Sequence, residues 1–512
     1  MKKINLLLLV LLIIGCKNTD KNLEKAQQLK VKQIDIVSTI INEKDNFYYL
    51  DTTKYPVGDS SLPIGVFDSG TGGLTVLKAI VGYDQNQNTT LEKGSDGILD
   101  FNKESFTYLA DQANMPYGSY PKENNIALLK EHIIKDAQFL MGSNYYSDRN
   151  DKTVNTGKKQ VKALVIACNT ATAYGKEYIE EFLEKAKLNI KVIGVIDAGA
   201  RGALASIKKD EDAIIGVFAT IATVGVKGYD KAIFENKDKM SYTGEIEVFS
   251  QGGIGLAEVI DEDPDYYEKN LKKPRKGYQG PALDGNEFKI DKALYDVYNF
   301  DFNDNKMLCD SKNTDDCSIL QINDAENYCR YHLVSLMEKI RLSKTKNKLK
   351  SLILGCTHYP YMTKEIDNIF KELYNYKAKD GSYLYRDFMA ESINLIDPAI
   401  YTAKALFEYL KQEKLLNPNG DIKQSEFYIS VANNDNTNNA IDENGRFPYE
   451  YKYGRNANEI QEYVKVVPFS RKNISNDILL RLKEQTPFVY ELMRNFNLKN
   501  AKTSGLSDSS KI

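Results

Sequence analysis

The sequence predicts an α/β protein with two pseudo-symmetric lobes, each a parallel sheet flanked by helices, and an active site in the cleft between them. Three observations lead to this prediction. First, 42% of the 512 residues are hydrophobic, which is enough to bury a sizeable core. Second, short continuous apolar segments such as 163–166 and 352–354 alternate with helical patterns, as the strands of parallel sheets do. Third, segment 163–170 is echoed by segment 351–358, and each places a cysteine directly after a predicted strand.

The first residues are predicted to be an export signal rather than part of the fold. A short basic start precedes an almost unbroken apolar segment that ends at Cys16, and this segment is too short to span a bilayer. The layout resembles a bacterial lipoprotein signal, which is cleaved before the cysteine that then carries the lipid. We therefore predict residues 1–16 as a signal peptide with lipidation at Cys16, and the mostly polar residues 17–60 as a tether. The expected location is a membrane anchor on the exported side, periplasmic or cell surface, or the cytoplasm if the signal is not used.

Charge and cysteine spacing exclude several classes of function. The chain carries 68 basic and 71 acidic residues, and the net charge of −3 argues against a dedicated nucleic-acid-binding protein. The six cysteines are Cys16, Cys168, Cys309, Cys317, Cys329 and Cys356. None belongs to a CxxC motif or to a paired Cys/His pattern of the kind that holds zinc, so no metal site is predicted. In an exported protein, two of Cys309, Cys317 and Cys329 are candidates for a disulfide, and the pairing stays open.

Polar stretches of low hydrophobicity separate the predicted βα units, and we interpret them as surface insertions. The predicted segments are 61–198 as the first part of lobe 1, 199–360 as lobe 2 with an insertion at about 262–325, 361–470 as a return to lobe 1 with further insertions, and 471–512 as a C-terminal extension. In sheets of this kind, ligands bind beyond the carboxyl ends of the strands. The loops that carry Cys168 and Cys356 are therefore expected to face one shared cleft.

Two thiols on equivalent loops predict two-base chemistry at a carbon acid. The α-proton of an amino acid is only weakly acidic, so its removal needs a well-placed base. A thiolate can serve as that base. A thiol on the other side of the cleft can return a proton to the opposite face, which inverts the centre without a cofactor. Such thiols need neighbouring groups that tune their pKa values. Asp68 in a glycine-rich turn and His358, two residues after Cys356, are the candidates.

Seven short segments carry a resemblance to a known family. In chain order they are 65–76 around Asp68-Ser69-Gly70, 108–111, Met115-Pro116-Tyr117-Gly118, 167–172 around Cys168-Asn169-Thr170, Thr220 with Thr223, 355–360 around Cys356-Thr357-His358, and 395–398. With these motifs the chain resembles a glutamate racemase of the cofactor-independent aspartate/glutamate racemase superfamily. The resemblance covers most of 61–410, and a weaker match at 427–430 is expected to be a late strand of lobe 1.

The resemblance implies an isomerase that interconverts L- and D-glutamate without a cofactor. Cys356 would deprotonate L-glutamate with the help of His358, and Cys168 would deprotonate the D-enantiomer with the help of Asp68. Glu258 would face His358. The implied substrate-binding residues are Asp68, Ser69, Pro116, Tyr117, Gly118, Cys168, Asn169, Thr170, Thr223, Cys356, Thr357 and His358.

Three features depart from the family's pattern. The chain is about twice as long as typical members, which are cytoplasmic and supply D-glutamate for the peptidoglycan of the cell wall. Segment 248–253 stands where the family usually has a Cys-Pro stretch, so the resemblance does not define the shape of the substrate pocket at this segment. An exported chain would also expose its catalytic thiols to oxidation.

Two alternatives to a glutamate racemase therefore stay open. One is a catalytically inactive lipoprotein that keeps the racemase fold and binds an amino acid. The other is a racemase of another amino acid, such as aspartate. The expected partners are an amino-acid substrate and a membrane reached through the lipid on Cys16, with no nucleic acid, and a homodimer is left open.

Overall fold

The computed structural model describes residues 35–260, 263, 265–285 and 288–512 of the chain. Two sheets organise these residues and helices flank each of them, so the predicted two-lobed α/β fold is confirmed. The predicted signal peptide, its Cys16 and the first part of the predicted tether lie outside the described residues.

The strands form two separate sheets and one hairpin. In chain order they are β1 (Ile64–Asp68), β2 (Phe106–Ala110), β3 (Ala163–Ile166), β4 (Lys191–Gly194), β5 (Ala213–Ala219), β6 (Ile246–Gly252), β7 (Met307–Cys309), β8 (Leu320–Ile322), β9 (Leu349–Gly355), β10 (Met389–Ile396), β11 (Glu426–Ala432) and β12 (Val464–Pro468). Lobe 1 holds the sheet β12-β11-β2-β1-β3-β4, in which only β12 is antiparallel to its neighbour. Lobe 2 holds the parallel sheet β10-β9-β5-β6, and β7 and β8 form an antiparallel hairpin. Strands β1, β2 and β3 are buried along their whole length, which explains their largely apolar sequences.

The chain passes between the lobes twice, through two helices that pack on each other. In chain order the helices are α1 (Asp35–Asn42), α2 (Leu74–Val81), α3 (Ser119–Lys122), α4 (Ile126–Met141), α5 (Asn169–Lys185), α6 (Val195–Ala205), α7 (Ile221–Gly225), α8 (Gly228–Lys239), α9 (Leu256–Ile260), α10 (Tyr295–Tyr298), α11 (Ala325–Ser343), α12 (Thr363–Asn375), α13 (Pro398–Gln412), α14 (Tyr449–Gly454), α15 (Asn476–Gln485) and α16 (Pro487–Lys499). Helix α6 leads from β4 into lobe 2, and α13 leads from β10 back to lobe 1. The two helices pack closely: a Cβ atom added at Gly202 of α6 would lie only 2.5 Å from Cδ2 of Tyr401 on α13. Among the described residues, no helix is both long and apolar enough to cross a bilayer.

The structure corrects one predicted boundary and confirms one predicted strand. The sequence prediction ended lobe 2 at 360, but β10 is an edge strand of the lobe 2 sheet, so lobe 2 continues to Ile396. Strand β10 is not evident from the sequence, because its buried and exposed residues alternate irregularly and it follows a polar stretch. The weak match at 427–430 does lie on β11, which pairs with β2 in lobe 1.

The described part of the predicted tether is a folded part of lobe 1. Ile36 and Ile40 of α1 are fully buried, and both belong to the same apolar core as β1 and β3. Tyr55 is also buried, and its hydroxyl donates to the carbonyl of Val161 at 2.7 Å and accepts from the Val161 amide at 3.2 Å. The sequence prediction of a tether is therefore wrong for residues 35–60, because a few well-spaced apolar side chains dock an otherwise polar segment.

Replacing Tyr55 by phenylalanine is expected to destabilise the fold by about 1–3 kcal/mol, because both polar groups of buried Val161 lose their partner. The change is measured as the free energy of unfolding in urea. Tyr49→Phe is the matched control, since this half-buried tyrosine lies on the same segment. Equal stabilities of the two variants would contradict the anchoring role of Tyr55.

The structure places the predicted C-terminal extension in the core of lobe 1, and it gives the disulfide pairing that the sequence left open. The predicted C-terminal extension contributes Val489, Met493 and Phe496 of α16 to the core of lobe 1. In the lobe 2 insertion, a disulfide joins Cys309 to Cys317 across the β7–β8 hairpin. Cys329 is a free, buried thiol of the lobe 2 core.

Candidate active site

Each lobe presents one of the two predicted thiols at the carboxyl end of a central strand. Cys168 follows β3 of lobe 1 and is the N-cap residue of α5, where its Sγ accepts a hydrogen bond from the Ala171 amide at 3.4 Å. Cys356 follows β9 of lobe 2. Both thiols are buried and neither is in a disulfide. Each strand therefore places its cysteine at the sheet edge where ligands bind in folds of this type.

The turn after β1 brings the two lobes together at Gly72. A Cβ atom at this position would lie 2.8 Å from Thr357 Oγ1, 3.2 Å from His358 Cε1 and 3.5 Å from Asp68 Oδ2. The Thr75 hydroxyl, one helical turn further on, donates to the Gly72 carbonyl at 2.9 Å and lies 3.4 Å from the Thr357 carbonyl of lobe 2. A larger residue at position 72 would force the Thr357 side chain to shift. The predicted partner of one thiol, Asp68, therefore lies beside the predicted partner of the other, His358.

Asp68 is held by backbone amides of its own turn. Its Oδ2 accepts hydrogen bonds from the amides of Gly73 at 2.7 Å and Gly70 at 3.3 Å. Burial raises the pKa of Asp68, and the hydrogen bonds from Gly73, Cys168 and Gly70 and the nearby His358 oppose that rise. The carboxyl group is thus fixed within reach of both the Cys168 thiol and the His358 ring.

The environment of Cys168 favours its protonated form. Burial raises the pKa of the Cys168 thiol well above its ordinary value, and the negative charge of Asp68 raises it further. Hydrogen bonds from the Ala171 amide and with Ser69 act in the opposite direction, and the thiol lies 3.8 Å from Ser69 Oγ. Cys168 can therefore hold a proton until a stronger base, such as a carbanion, takes it.

Cys356 lies beside a histidine and a buried tyrosine. Its Sγ is 3.6 Å from Nδ1 of His358, which is within hydrogen-bond distance for sulfur. Tyr359 donates from its hydroxyl to the Gly253 carbonyl at 3.0 Å. Burial raises the pKa of the Tyr359 phenol, and Cys356 and then Glu258 raise it further. The predicted acid Glu258 therefore lies close to the residue that follows His358.

Gln251, in the segment that departs from the family pattern, is hydrogen-bonded to His332 of α11. Gln251 donates from Nε2 to Nδ1 of His332 at 3.2 Å, while the other ring nitrogen of His332 donates to the Ile254 carbonyl at 2.9 Å. Burial lowers the pKa of His332 to about 4, so the ring is neutral and has this one tautomer. His332 is a structural residue of lobe 2.

One residue at the site was not identified from the sequence. Tyr229 of α8 belongs to lobe 2, and its hydroxyl donates to Asn169 Oδ1 of lobe 1 at 2.7 Å. The same ring lies close to Gly355, since a Cβ atom there would be 2.8 Å from Tyr229 Cε2. Tyr229 thus links the loops of Cys168 and Cys356. No sequence pattern indicates this link, because an isolated tyrosine in a helix is usually a core residue.

The other predicted binding residues lie around the same cleft or support it. Gly118 faces lobe 2, with the Ala222 side chain 3.7 Å from an added Cβ. Thr223 is buried, and Thr220 caps α7 by accepting a hydrogen bond from the Thr223 amide at 3.3 Å. The Tyr117 phenol is directed into lobe 1, where it contacts two carboxyl groups, so only its backbone is available to a substrate. The roles of all these residues in binding stay predictions.

If Tyr229 holds Asn169 in place for a substrate, Tyr229→Phe is expected to raise KM about five- to tenfold with a smaller change in kcat, since one hydrogen bond contributes about 1 kcal/mol. Steady-state kinetics with a range of amino acids measures this. Tyr242→Phe is the control, because that hydroxyl bonds to the Leu204 carbonyl on the far side of lobe 2. The same KM in both variants would contradict the role of Tyr229.

Comparison with known proteins points to one group of enzymes. No protein-family model matches the chain. The chain is 32% identical to the glutamate racemase of Lactobacillus johnsonii over 208 residues, which are 41% of this chain and 59% of that enzyme, less than two thirds of its length. It is 27% identical to the glutamate racemase of Thermoanaerobacter pseudethanolicus over 374 residues, or 72% of this chain and 88% of that enzyme. Among solved structures, a glutamate racemase isoform of Bacillus anthracis matches with a TM-score of 0.41 and 23% identity, covering 72% of this chain and 88% of that one.

Proposed function

Because this chain is a relative of the glutamate racemases, we propose that it is an amino-acid racemase that interconverts L- and D-glutamate by two-thiol proton transfer. One observation carries the proposal: each lobe places a free, buried thiol at the end of a central strand, and the partner groups of the two thiols meet at Gly72. A site that only bound an amino acid would need neither the second thiol nor its own acid–base partner.

In the proposed reaction, the Cys356 thiolate removes the α-proton of L-glutamate. The electron pair left on carbon then takes a proton from the Cys168 thiol on the opposite face, which gives D-glutamate and a Cys168 thiolate. The reverse direction exchanges the two roles. His358 accepts and returns protons at Cys356, and Asp68 does so at Cys168. Exchange with solvent restores the starting protonation states, so no cofactor is consumed.

Substrate binding in this proposal relies on the start of α5 and on the turns around it. The amides of Asn169 and Thr170 lie in the first turn of this 17-residue helix, where unpaired N–H groups and the helix dipole favour a carboxylate. Ser69, Thr223 and Thr357 supply hydroxyl groups around the same cleft. A dicarboxylic amino acid suits two such groups of donors.

The test is whether the purified chain forms D-glutamate from L-glutamate. Chiral chromatography measures the two enantiomers. The same assay with L-aspartate and neutral amino acids distinguishes a glutamate racemase from a racemase of another amino acid. No conversion of any amino acid, together with glutamate binding in calorimetry, would instead support an amino-acid-binding protein that has lost the activity.

We also propose that the chain is exported and anchored to a membrane by a lipid on Cys16. The disulfide between Cys309 and Cys317 supports an oxidising location, since such bonds are rare in reducing compartments. Membrane fractionation and mass spectrometry of the N-terminus test this, with Cys16→Ala as the comparison. A soluble chain that keeps its first 16 residues would contradict the proposal.

A further inference from the structure

A tyrosine hydroxyl joins two buried carboxyl groups inside lobe 1. The Tyr117 hydroxyl lies 2.7 Å from Asp111 Oδ2 and 2.6 Å from Asp136 Oδ2. The exposed fractions of Asp111, Asp136 and Tyr117 are 2%, 5% and 1%. Asp136 lies on α4, and neither the proposed reaction nor the proposed binding site uses it.

The two short contacts cannot both be hydrogen bonds if both carboxyl groups are ionised. A tyrosine hydroxyl has one proton and can donate to only one acceptor. In the second contact, the phenol oxygen would then face a carboxylate oxygen with no proton between them. Such a buried, unpaired negative charge is strongly unfavourable. Both contacts are satisfied when one carboxyl group is neutral and donates its own proton to the Tyr117 oxygen.

The hydrogen-bond partners show which carboxyl group keeps its charge. Asp111 accepts from the Ser430 hydroxyl at 2.6 Å and from Asn114 Nδ2, which lies 3.0 Å from each of its oxygens. Among the described residues, the only side chain that shares a hydrogen bond with Asp136 is Tyr117. The negative charge therefore belongs on Asp111 and the extra proton on Asp136.

We infer that Asp136 is a neutral, proton-donating residue that positions Tyr117 and, through it, the loop of Pro116 and Gly118 at the cleft. The hydrogen bonds run from Asp136 to Tyr117 to Asp111. They hold the loop from the interior of lobe 1, on the side away from the cleft. Gly118 at the other end of the loop faces Ala222 of lobe 2. Only the substrate-binding role of this loop rests on the proposed function.

The surroundings of Asp136 agree with its neutral form. The charged and titratable side chains Asp111, His132 and Lys135 line the same cavity as Asp136, and Asp68 at the end of β1 and Tyr117 also act on it. Burial raises the pKa of Asp136, and the charges of Asp111 and Asp68 raise it further. Lys135 is paired with Glu131 at 2.6 Å, and burial lowers the pKa of His132, so that ring supplies no positive charge.

The pH dependence of stability tests the protonation state without any enzyme assay. In the unfolded chain Asp136 ionises at about pH 4, whereas in the folded chain it keeps its proton to higher pH. The folded wild type therefore loses stability relative to Asp136→Asn as the pH rises above about 4. The ratio of the two unfolding constants should change by up to about tenfold per pH unit. A ratio that stays constant between about pH 5 and 8 would overturn the inference.

A matched control and a second readout complete this test. Asp367→Asn changes an exposed aspartate that is paired with Lys371 on α12, and a stability ratio with the same pH dependence as that of Asp136→Asn would overturn the inference. If Asp136→Asn does not fold, infrared spectroscopy of the wild type is compared with that of Asp136→Leu. The neutral carboxylic acid band should be weaker in the leucine variant, and an unchanged band would overturn the inference.

Hydrogen exchange tests the positioning role. Asparagine can still donate to the Tyr117 oxygen, whereas leucine cannot. Amide exchange of the loop around Tyr117 and Gly118 should be about tenfold faster in Asp136→Leu than in Asp136→Asn, which should match wild type. If the racemase assay succeeds, KM should follow the same order. Equal exchange in the two variants would contradict the positioning role, whether or not the chain is a racemase.

Discussion

Replacing either Cys168 or Cys356 by alanine is expected to lower kcat for glutamate racemisation by at least about 10³-fold and to leave the fold intact. A missing acid or base raises the barrier of proton transfer steeply, because in the proposed mechanism each thiol is the group that moves the proton on its own face of the substrate. The fold should survive because each thiol contributes little to the core beyond the space it fills. Circular dichroism and the urea midpoint check the fold, and enzyme kinetics check the activity.

The remaining thiol of each variant gives a sharper readout than the loss of turnover. The two enantiomers have equal free energy in water, so kcat/KM must fall equally in both directions. Exchange of the α-proton with solvent has no such restriction. Cys168→Ala should exchange the α-proton of L-glutamate only, and Cys356→Ala that of D-glutamate only.

Cys329→Ala is the matched control for both variants, since it removes a third free and buried thiol from lobe 2. Its racemase activity should equal that of wild type. Wild-type turnover in Cys168→Ala or in Cys356→Ala would refute the two-thiol mechanism.

Asp68→Asn is expected to lower kcat by about 10²- to 10³-fold, the second largest effect on activity. Asparagine keeps an oxygen for the hydrogen bonds from Gly70 and Gly73, so the turn should hold its shape. What is lost is a group that can take the proton of Cys168. The variant therefore separates the chemical role of Asp68 from its structural role.

The same substitution should also shift the titration of Cys168. The negative charge of Asp68 raises the pKa of this thiol, so removing the charge should lower that pKa. The thiolate absorbance of Asp68→Asn in the ultraviolet should therefore develop at lower pH than in wild type. Asp197→Asn is the control, because Asp197 follows an Ile-Gly-Val-Ile segment much like the one before Asp68 but lies half-exposed and hydrogen-bonded to Asn236. A drop in activity as large in Asp197→Asn as in Asp68→Asn would contradict a specific role for Asp68.

The features that could be predicted from the sequence are those that depend on neighbouring residues in the chain. Strand β3 is a continuous apolar run followed by Cys168, and β9 is a similar run followed by Cys356. Because parallel strands end at one edge of a sheet, this pattern alone brings the two thiol loops to ligand-binding positions. The motif around Asp68 is equally local, since its acceptor role needs only the amides of the next few residues.

The parts that it missed depend on residues far apart in the chain. Tyr229 bonds to Asn169 across 60 positions, and Arg455 donates to Asn114 across 341 positions. Asp136 looks like an ordinary polar residue of an amphipathic helix until Tyr117 is seen beside it. The docking of residues 35–60 was missed for the same reason, since the partners of Tyr55 come more than a hundred residues later.

The measurement that tests the central claim most directly is the conversion of L-glutamate by the purified wild-type chain in D₂O. NMR measures the loss of the Cα–H signal while optical rotation measures racemisation in the same sample. Two opposed thiols predict that each new D-glutamate molecule carries deuterium at Cα, because Cys168 exchanges its proton with solvent before donating it. The remaining L-glutamate should stay protonated at early times. Retention of the original proton in the D-glutamate formed, or exchange in L-glutamate with no loss of rotation, would contradict the account.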